Sequence, residues 1–328
     1  MTIVCRVWYD FGKQMLWHYL VTSLVFLISW KGRDQLSHSH RGLNSKRNGI
    51  FPYLLLLPCL ALFGCFVFYP FIRTIYLTFF VTNVNGLPVK AAGFSMWERV
   101  FKNKQYMDSV WLSFKFAAMV GVPTFFLAFV LAAIASEKSR GSRVYEVLFS
   151  LPMAIASAPA AAIFVSVLKL NGVLNAILGS SVNWLDDTKY AIICVAAITV
   201  WIRIGSSFIF LLTGFRNVPG ELLESARVDG AGYLRRMFSV TIPVASPQIF
   251  FVVFLNITGS FQSFGQIKLL TGGGPANTTS VLIYRVYEAA FRNARFETAC
   301  ILSLLLFLSI FLITRIQFIL EKKLVVYS

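Results

Sequence analysis

Histidine is nearly missing from this 328-residue chain, and carboxylates are scarce, with 14 Asp and Glu against 30 Lys and Arg. The three histidines are His18, His38 and His40, so everything after residue 40 lacks an imidazole for acid–base work or for a metal. His38-Ser39-His40 reads as linker. No G-x-x-x-x-G-K-[ST] occurs, which excludes a P-loop of the chain's own, and neither H-E-x-x-H nor G-x-S-x-G is present. The five cysteines are Cys5, Cys59, Cys65, Cys194 and Cys300. Four lie inside apolar runs and none forms a C-x-x-C pair, so they make neither a disulfide framework nor a zinc site. Asp186-Asp187 stands in a loop with nothing near it to complete a metal site. A membrane enzyme is therefore poorly supported, for want of a nucleophile set beside a base.

Charge of either sign is also thin. Charged residues make up 13% and apolar residues 57%, with a mean hydropathy of +0.70, where soluble domains carry about 25% charged residues. This is the composition of an all-α polytopic membrane protein. Six apolar runs, near 51–72, 109–136, 144–168, 190–215, 246–268 and 297–320, are long enough to span a bilayer at about 20 residues each. In lipid their backbone groups must be satisfied internally, so they should be helices. The net charge of +16 is read as membrane topology and lipid contact, not as nucleic-acid binding. Lys and Arg gather in 31–50, 137–143, 216–236 and the tail after Leu320, and six spans put all four regions on one side. The positive-inside rule makes that side cytoplasmic, with both ends of the six-helix core there. Residues 1–48 form an extension and linker ahead of a membrane domain at 49–328. The extension holds a short apolar run, 16–30, that could be an extra helix, an interfacial segment or sequence upstream of the true start.

One polar stretch interrupts the apolar pattern. Pro219 and Gly220 end the preceding helix, and Glu221 and Glu224 fall in the first turn of a new one, where carboxylates suit the positive dipole end. Leu222, Leu223, Ala226 and Arg227 follow at helical spacing, and Gly230 suits a left-handed stop. Tyr233 to Phe238 can form a second short turn before Ile242-Pro243 and Ser246-Pro247 restart the membrane run. From the pattern alone this is either an ordinary interfacial helix or a contact for a soluble partner.

The stretch resembles the EAA loop of permease subunits in binding-protein-dependent ABC importers: Glu-Ala-Ala, three residues, Gly, nine residues, then Ile-x-Leu-Pro. Here it reads Glu224-Ser225-Ala226, Gly230 and Val240-Thr241-Ile242-Pro243, with Ser225, Val240 and Ile242 as conservative departures. Asp229-Gly230-Ala231 is typical of the carbohydrate-uptake branch. Further matches are Thr271-Gly272-Gly273-Gly274-Pro275 with Thr279, Leu282, Tyr284 and Tyr287, and Ser150-Leu151-Pro152 after Arg140-Gly141-Ser142-Arg143. Within the branch, Arg140 to Arg143, Asp108-Ser109-Val110-Trp111 and Leu282 to Tyr287 look most similar to the members that take up glycerol phosphate.

The resemblance implies a coupling helix seated in a groove of a cytoplasmic ATPase, and it brings Glu221, Glu224, Ser225, Ala226, Asp229, Gly230, Ala231 and Pro243 to that contact. It also implies a cytoplasmic ABC ATPase dimer carrying ATP and Mg, a second related permease and an extracytoplasmic binding protein. The chain itself would need no cofactor. The implied function is import of a sugar or glycerol phosphate across the inner membrane. The glycine-rich stretch, Thr271 to Pro275, is expected to be a flexible external loop near the docked binding protein. Polar residues inside the apolar runs suggest a substrate path: Arg203 beside Trp201, and Asn256, Gln262 and Gln266, the two glutamines sharing a helix face at four residues apart. The plainer alternative is hydrogen bonding between helices. An ion-coupled secondary transporter is the competing function. It calls for intramembrane carboxylates, and the clear one within a span is Glu146, near an end.

Overall fold

The structure, a computed structural model, describes residues 51–137 and 142–325. The extension at 1–48, with its short apolar run, and Arg140-Gly141 lie outside the described residues. By contacts the chain divides into two units, one ending at Arg73 and one from Thr74 to Ser328.

The described chain is helical almost throughout, as its apolar runs require. Helices α1 (Phe51–Phe63) and α2 (Tyr69–Leu77) flank a π-helical turn, Gly64–Phe68. A two-stranded antiparallel hairpin follows, β1 (Phe80–Thr82) and β2 (Pro88–Ala91), then a short amphipathic helix, α3 (Ser95–Lys102). The long helix α4 spans Lys104–Ser136 and is capped by Asn103, whose side chain accepts from the Gln105 N–H. After it come α5 (Ser142–Ala154), α6 (Ser157–Leu168), α7 (Val173–Leu178) and the second long helix, α8 (Ala191–Arg216). The polar stretch forms α9 (Gly220–Val228) and α10 (Tyr233–Arg236), and a π turn and α11 (Ile242–Val244) lead into α12 (Ser246–Phe261). Finally α13 (Phe264–Leu270), α14 (Leu282–Tyr287) and α15 (Phe296–Leu324) close the chain.

Among the described residues five helical stretches are long and apolar enough to cross a membrane, and six if the pair Tyr233–Val244 and Ser246–Phe261, bent by 75°, is one span. Two expected spans are broken. The run 144–168 is two helices separated at Ile155 and Ala156. Pro159 explains the break, because it has no N–H for the Ile155 carbonyl four residues back and its ring crowds that oxygen. The run 246–268 breaks at Gln262 and Ser263, where the Gln262 N–H turns back to Gly259 O and the Ser263 N–H to Ser260 O. These three-residue bonds tighten and end the helix. Gln262 closes α12 while Gln266 belongs to α13, so the two glutamines do not share a helix face.

The core is built around α4 and α8. Buried positions on α4 recur every three or four residues, from Ser109 through Val120 to Ala128, Ala132 and Ala135, which marks one helix face. Its alanines pack with Phe208, Leu211 and Phe215 of α8. Buried hydroxyls of α4 return to their own helix, Ser113 to Ser109 O at 2.8 Å and Thr124 to Val120 O at 2.7 Å, so these two are satisfied locally. Small residues set the helix spacing, as is usual where packing replaces the hydrophobic drive. A Cβ added at Gly214 of α8 would lie 2.7 Å from Gln248 Cβ on α12. Gly214→Ala should therefore push α8 from α12 and cost about 1–3 kcal/mol. It should lower the melting temperature of the purified protein in detergent, and an unchanged melting curve would contradict this packing.

Candidate functional site

The polar stretch folds as its caps dictate. α8 ends at Arg216, Pro219 starts α9 at φ −54° and Gly220 is its first helical residue. Glu221 lies in the first turn, while Glu224 stands one turn further on, a small correction to the reading that put both carboxylates at the dipole end. α9 stops in a Schellman arrangement: the Ala231 N–H reaches Ala226 O at 2.9 Å and the Gly230 N–H reaches Arg227 O at 3.0 Å. Gly230 takes the required positive φ, +75°, which side chains resist. The second short turn is longer than expected, since helix continues from Tyr233 through the π turn to Val244. Pro243 therefore sits inside this helical run, just before the bend at Ala245.

None of the nine residues of α9 is buried. Glu221, Glu224, Ser225, Asp229 and Gly230 are exposed and Ala226 and Ala231 half-buried. Apolar side chains stand out beside them, with Leu222 at 46% and Val228 at 88% exposure. The two flanks are fixed by residues that sequence reasoning did not single out as anchors. Arg216 pairs with Glu146 at 2.6 Å, Arg236 faces Glu137 at 3.6 Å, and the Tyr233 hydroxyl donates to the Ala133 carbonyl at 2.7 Å. Glu146, the carboxylate noted inside an expected span, thus serves as an ion-pair partner. The positive charges of the 216–236 loop were the available signal; their partners, 70 or more residues away, were not.

At the opposite end of α4, Ser113 Oγ accepts from the Leu282 N–H at 2.7 Å and Ser109 Oγ accepts from Arg285 Nε at 3.2 Å. With 33 residues at about 1.5 Å each, α4 is about 50 Å long, so these contacts and α9 lie on opposite faces of the bundle. The glycine-rich loop is here, and it is stitched down instead of flexible. Thr279 Oγ1 donates to Gly274 O at 2.8 Å and Ser280 Oγ to Gly273 O at 2.9 Å. At Gly273 an added Cβ would lie 2.4 Å from the Tyr284 ring, so this glycine serves close packing. A cleft of about 510 Å³ beside it is lined by Lys104, Asp108, Asn277, Thr278 and Arg285, among others.

The proposed path residues are only partly brought together. Arg203 on α8 points at α12: its Nη2 donates to Leu255 O at 3.1 Å, and a Cβ at Gly259 would fall 1.7 Å from the same nitrogen. Gly259 is thus the notch that admits the guanidinium. Next to it the buried Asn256 accepts from Ser207 Oγ at 3.1 Å. Among the described residues, Arg203 Nε and Asn256 Nδ2 are buried without a hydrogen-bond partner. Trp201 instead meets Phe164 edge-on at 5.2 Å, Gln262 is exposed and Gln266 half-buried. The bonds between helices that the sequence left as the plainer alternative are therefore present at Arg203 and Asn256. A charged hydrogen bond of this kind contributes about 1.5–3 kcal/mol. Arg203→Met and Gly259→Ala should both lower the melting temperature, the second by expelling the guanidinium. Full stability in both variants would remove Arg203 as a tie between α8 and α12.

Residues 103–326 match the family described as binding-protein-dependent transport system inner membrane component. The sn-glycerol-3-phosphate transport system permease protein UgpA of Yersinia pestis bv. Antiqua (strain Antiqua) is 32% identical over 278 residues, 83% of this chain and 94% of that protein. Its namesake in Agrobacterium fabrum is 30% identical over 286 residues, 86% of this chain and 98% of that one. In fold the chain resembles a chain of a bacterial alginate ABC transporter, solved in complex with an alginate pentasaccharide-bound periplasmic protein. The TM-score is 0.74 at 20% identity, covering 83% of this chain and 94% of the other.

Proposed function

We propose that this chain, which belongs to the family of binding-protein-dependent transport system inner membrane components, uses α9 as the seat of a cytoplasmic ATPase that drives import. The chain is a multi-pass transport component of the inner membrane and not itself an enzyme. The ATP and Mg belong to the ATPase dimer, and a second related permease completes the pore. The observation that carries this reading is the state of α9. It is a charged nine-residue helix with no buried residue, held at both flanks, so it contributes little to the core and is rigidly presented. Glu224 makes the charged contact, Ser225 and Ala226 allow close approach, and Gly230 makes the turn that returns the chain to the membrane. The face that carries α9 is cytoplasmic in this reading. The Lys and Arg of its loop support that orientation, which also places both ends of the helical core inside.

The opposite face, with the stitched glycine-rich loop, receives the external binding protein. The substrate is a sugar or a glycerol phosphate, of the sn-glycerol-3-phosphate type, in keeping with the relatives' names. The buried donors Arg203 Nε and Asn256 Nδ2 support a path along α8 and α12, because such donors suit oxygen-rich solutes.

Glu224→Lys should insert normally yet lose the ATPase on co-purification, and ATP-driven, vanadate-sensitive uptake with it. Normal uptake by this variant would sink the proposal. Gly230→Val should impair uptake as well, because a β-branched residue at φ +75° costs about 1–2 kcal/mol or more and misdirects the return of the chain. A fully active Gly230→Val would show that this turn does not matter to coupling.

A further inference from the structure

Both legs of the loop that carries α9 are fastened to the same place, the end of α4. On the outgoing leg Arg216 Nη2 donates to the Ala135 carbonyl at 3.0 Å and to Glu146 Oε1 at 2.6 Å. On the return leg Tyr233 donates its hydroxyl to the Ala133 carbonyl at 2.7 Å, and Arg236 lies 3.6 Å from Glu137. Ala133 and Ala135 are among the last four residues of α4, whose carbonyls have no backbone N–H partner within the helix and carry the negative end of its dipole; the Ala133 carbonyl also accepts from the Ser136 hydroxyl at 2.7 Å. Because Glu146 is on α5, Arg216 alone joins α8, α4 and α5.

A loop tied by one leg can pivot about that leg. A loop tied by both cannot, so a displacement of α9 has to move the end of α4. The Arg216 and Glu146 side chains are 31% and 30% exposed, and half-exposed ion pairs add little to stability. Their geometry suits direction better than cohesion. The geometry points to Arg216 and Tyr233 as positioning residues that pass movement of α9 into α4 and α5, with Glu146 holding the Arg216 guanidinium in place. This inference rests on the reading of α9 as the ATPase seat. α4 would then carry the movement to its other end, where Ser113 and Ser109 hold Leu282 and Arg285.

The test uses the complete transporter in liposomes, with its ATPases, partner permease, binding protein and sn-glycerol 3-phosphate, and reads substrate imported per ATP hydrolysed. Arg216→Met, Glu146→Gln and Tyr233→Phe should each keep the ATPase bound and hydrolysing, while import per ATP falls about fivefold or more in Arg216→Met. The Arg216→Met/Glu146→Gln double variant should lose no more than Arg216→Met alone, the mark of residues acting through each other. Arg216→Lys should restore part of the ratio. An unchanged ratio in Arg216→Met and Tyr233→Phe, or additive losses in the double variant, would overturn the inference. Tyr233→Phe removes one hydroxyl, so it decides the matter if an Arg216 variant fails to insert. Glu224→Lys, run in parallel, separates the two ideas. If it sheds the ATPase while the Arg216 and Tyr233 variants stay coupled, only the role given to these ties is wrong; if it keeps the ATPase and full coupling, that role falls together with the reading of α9.

Discussion

The carbonyls that end α4 are the constraint from which much of the architecture follows. Near a bilayer an unpaired backbone oxygen is costly, and a helix end leaves four of them. Here Ala135 finds a donor in Arg216, and Ala133 takes the Tyr233 hydroxyl beside that of Ser136. Arg216 and Tyr233 come from the two ends of one loop. Once both are docked, the chain between them has nowhere to go but outward, past the end of the bundle. A short charged helix standing off the membrane domain is thus a consequence of satisfying the helix beneath it.

Close approach of helices is the second requirement, and it is met by removing side chains. Gly214 brings Gln248 of α12 against α8, and Gly205 brings the backbone of α5 near it, with Ser150 O at 3.1 Å from the position of a Cβ. Gly259 goes further and makes space for a charge. An arginine at this depth needs acceptors that lipid does not provide, and the Leu255 carbonyl, reachable only because position 259 has no side chain, supplies one.

What the sequence discloses and what it hides divide along the range of the interactions. Local rules were readable: the apolar runs, the Pro219-Gly220 break and the Gly230 stop depend on neighbours in the chain. The break at Ile155 was also signalled by Pro159, yet membrane helices tolerate proline well enough for the run to read as continuous. The break at Gln262 has no proline to announce it. The ties from Arg216 and Tyr233 cross 70 to 100 residues of sequence, and no periodicity points to them. Glycine misled for the same reason: in Thr271 to Pro275 it looks like freedom, whereas Gly273 is held at φ +82° with the Tyr284 ring against it. Glu146 was legible as an unusual residue but not as a partner.

The absence of any buried residue in α9 has a consequence for how such a protein can change over time. The packed core and the exposed face of α9 are written in different letters of the sequence. Substitutions at Leu222, Glu224 or Arg227 alter the outer surface of α9 at almost no cost to the bundle, while Arg216, Tyr233 and Gly230 hold the frame that carries it. The face of α9 can therefore be rewritten over time without the bundle first acquiring stability to spend on the change.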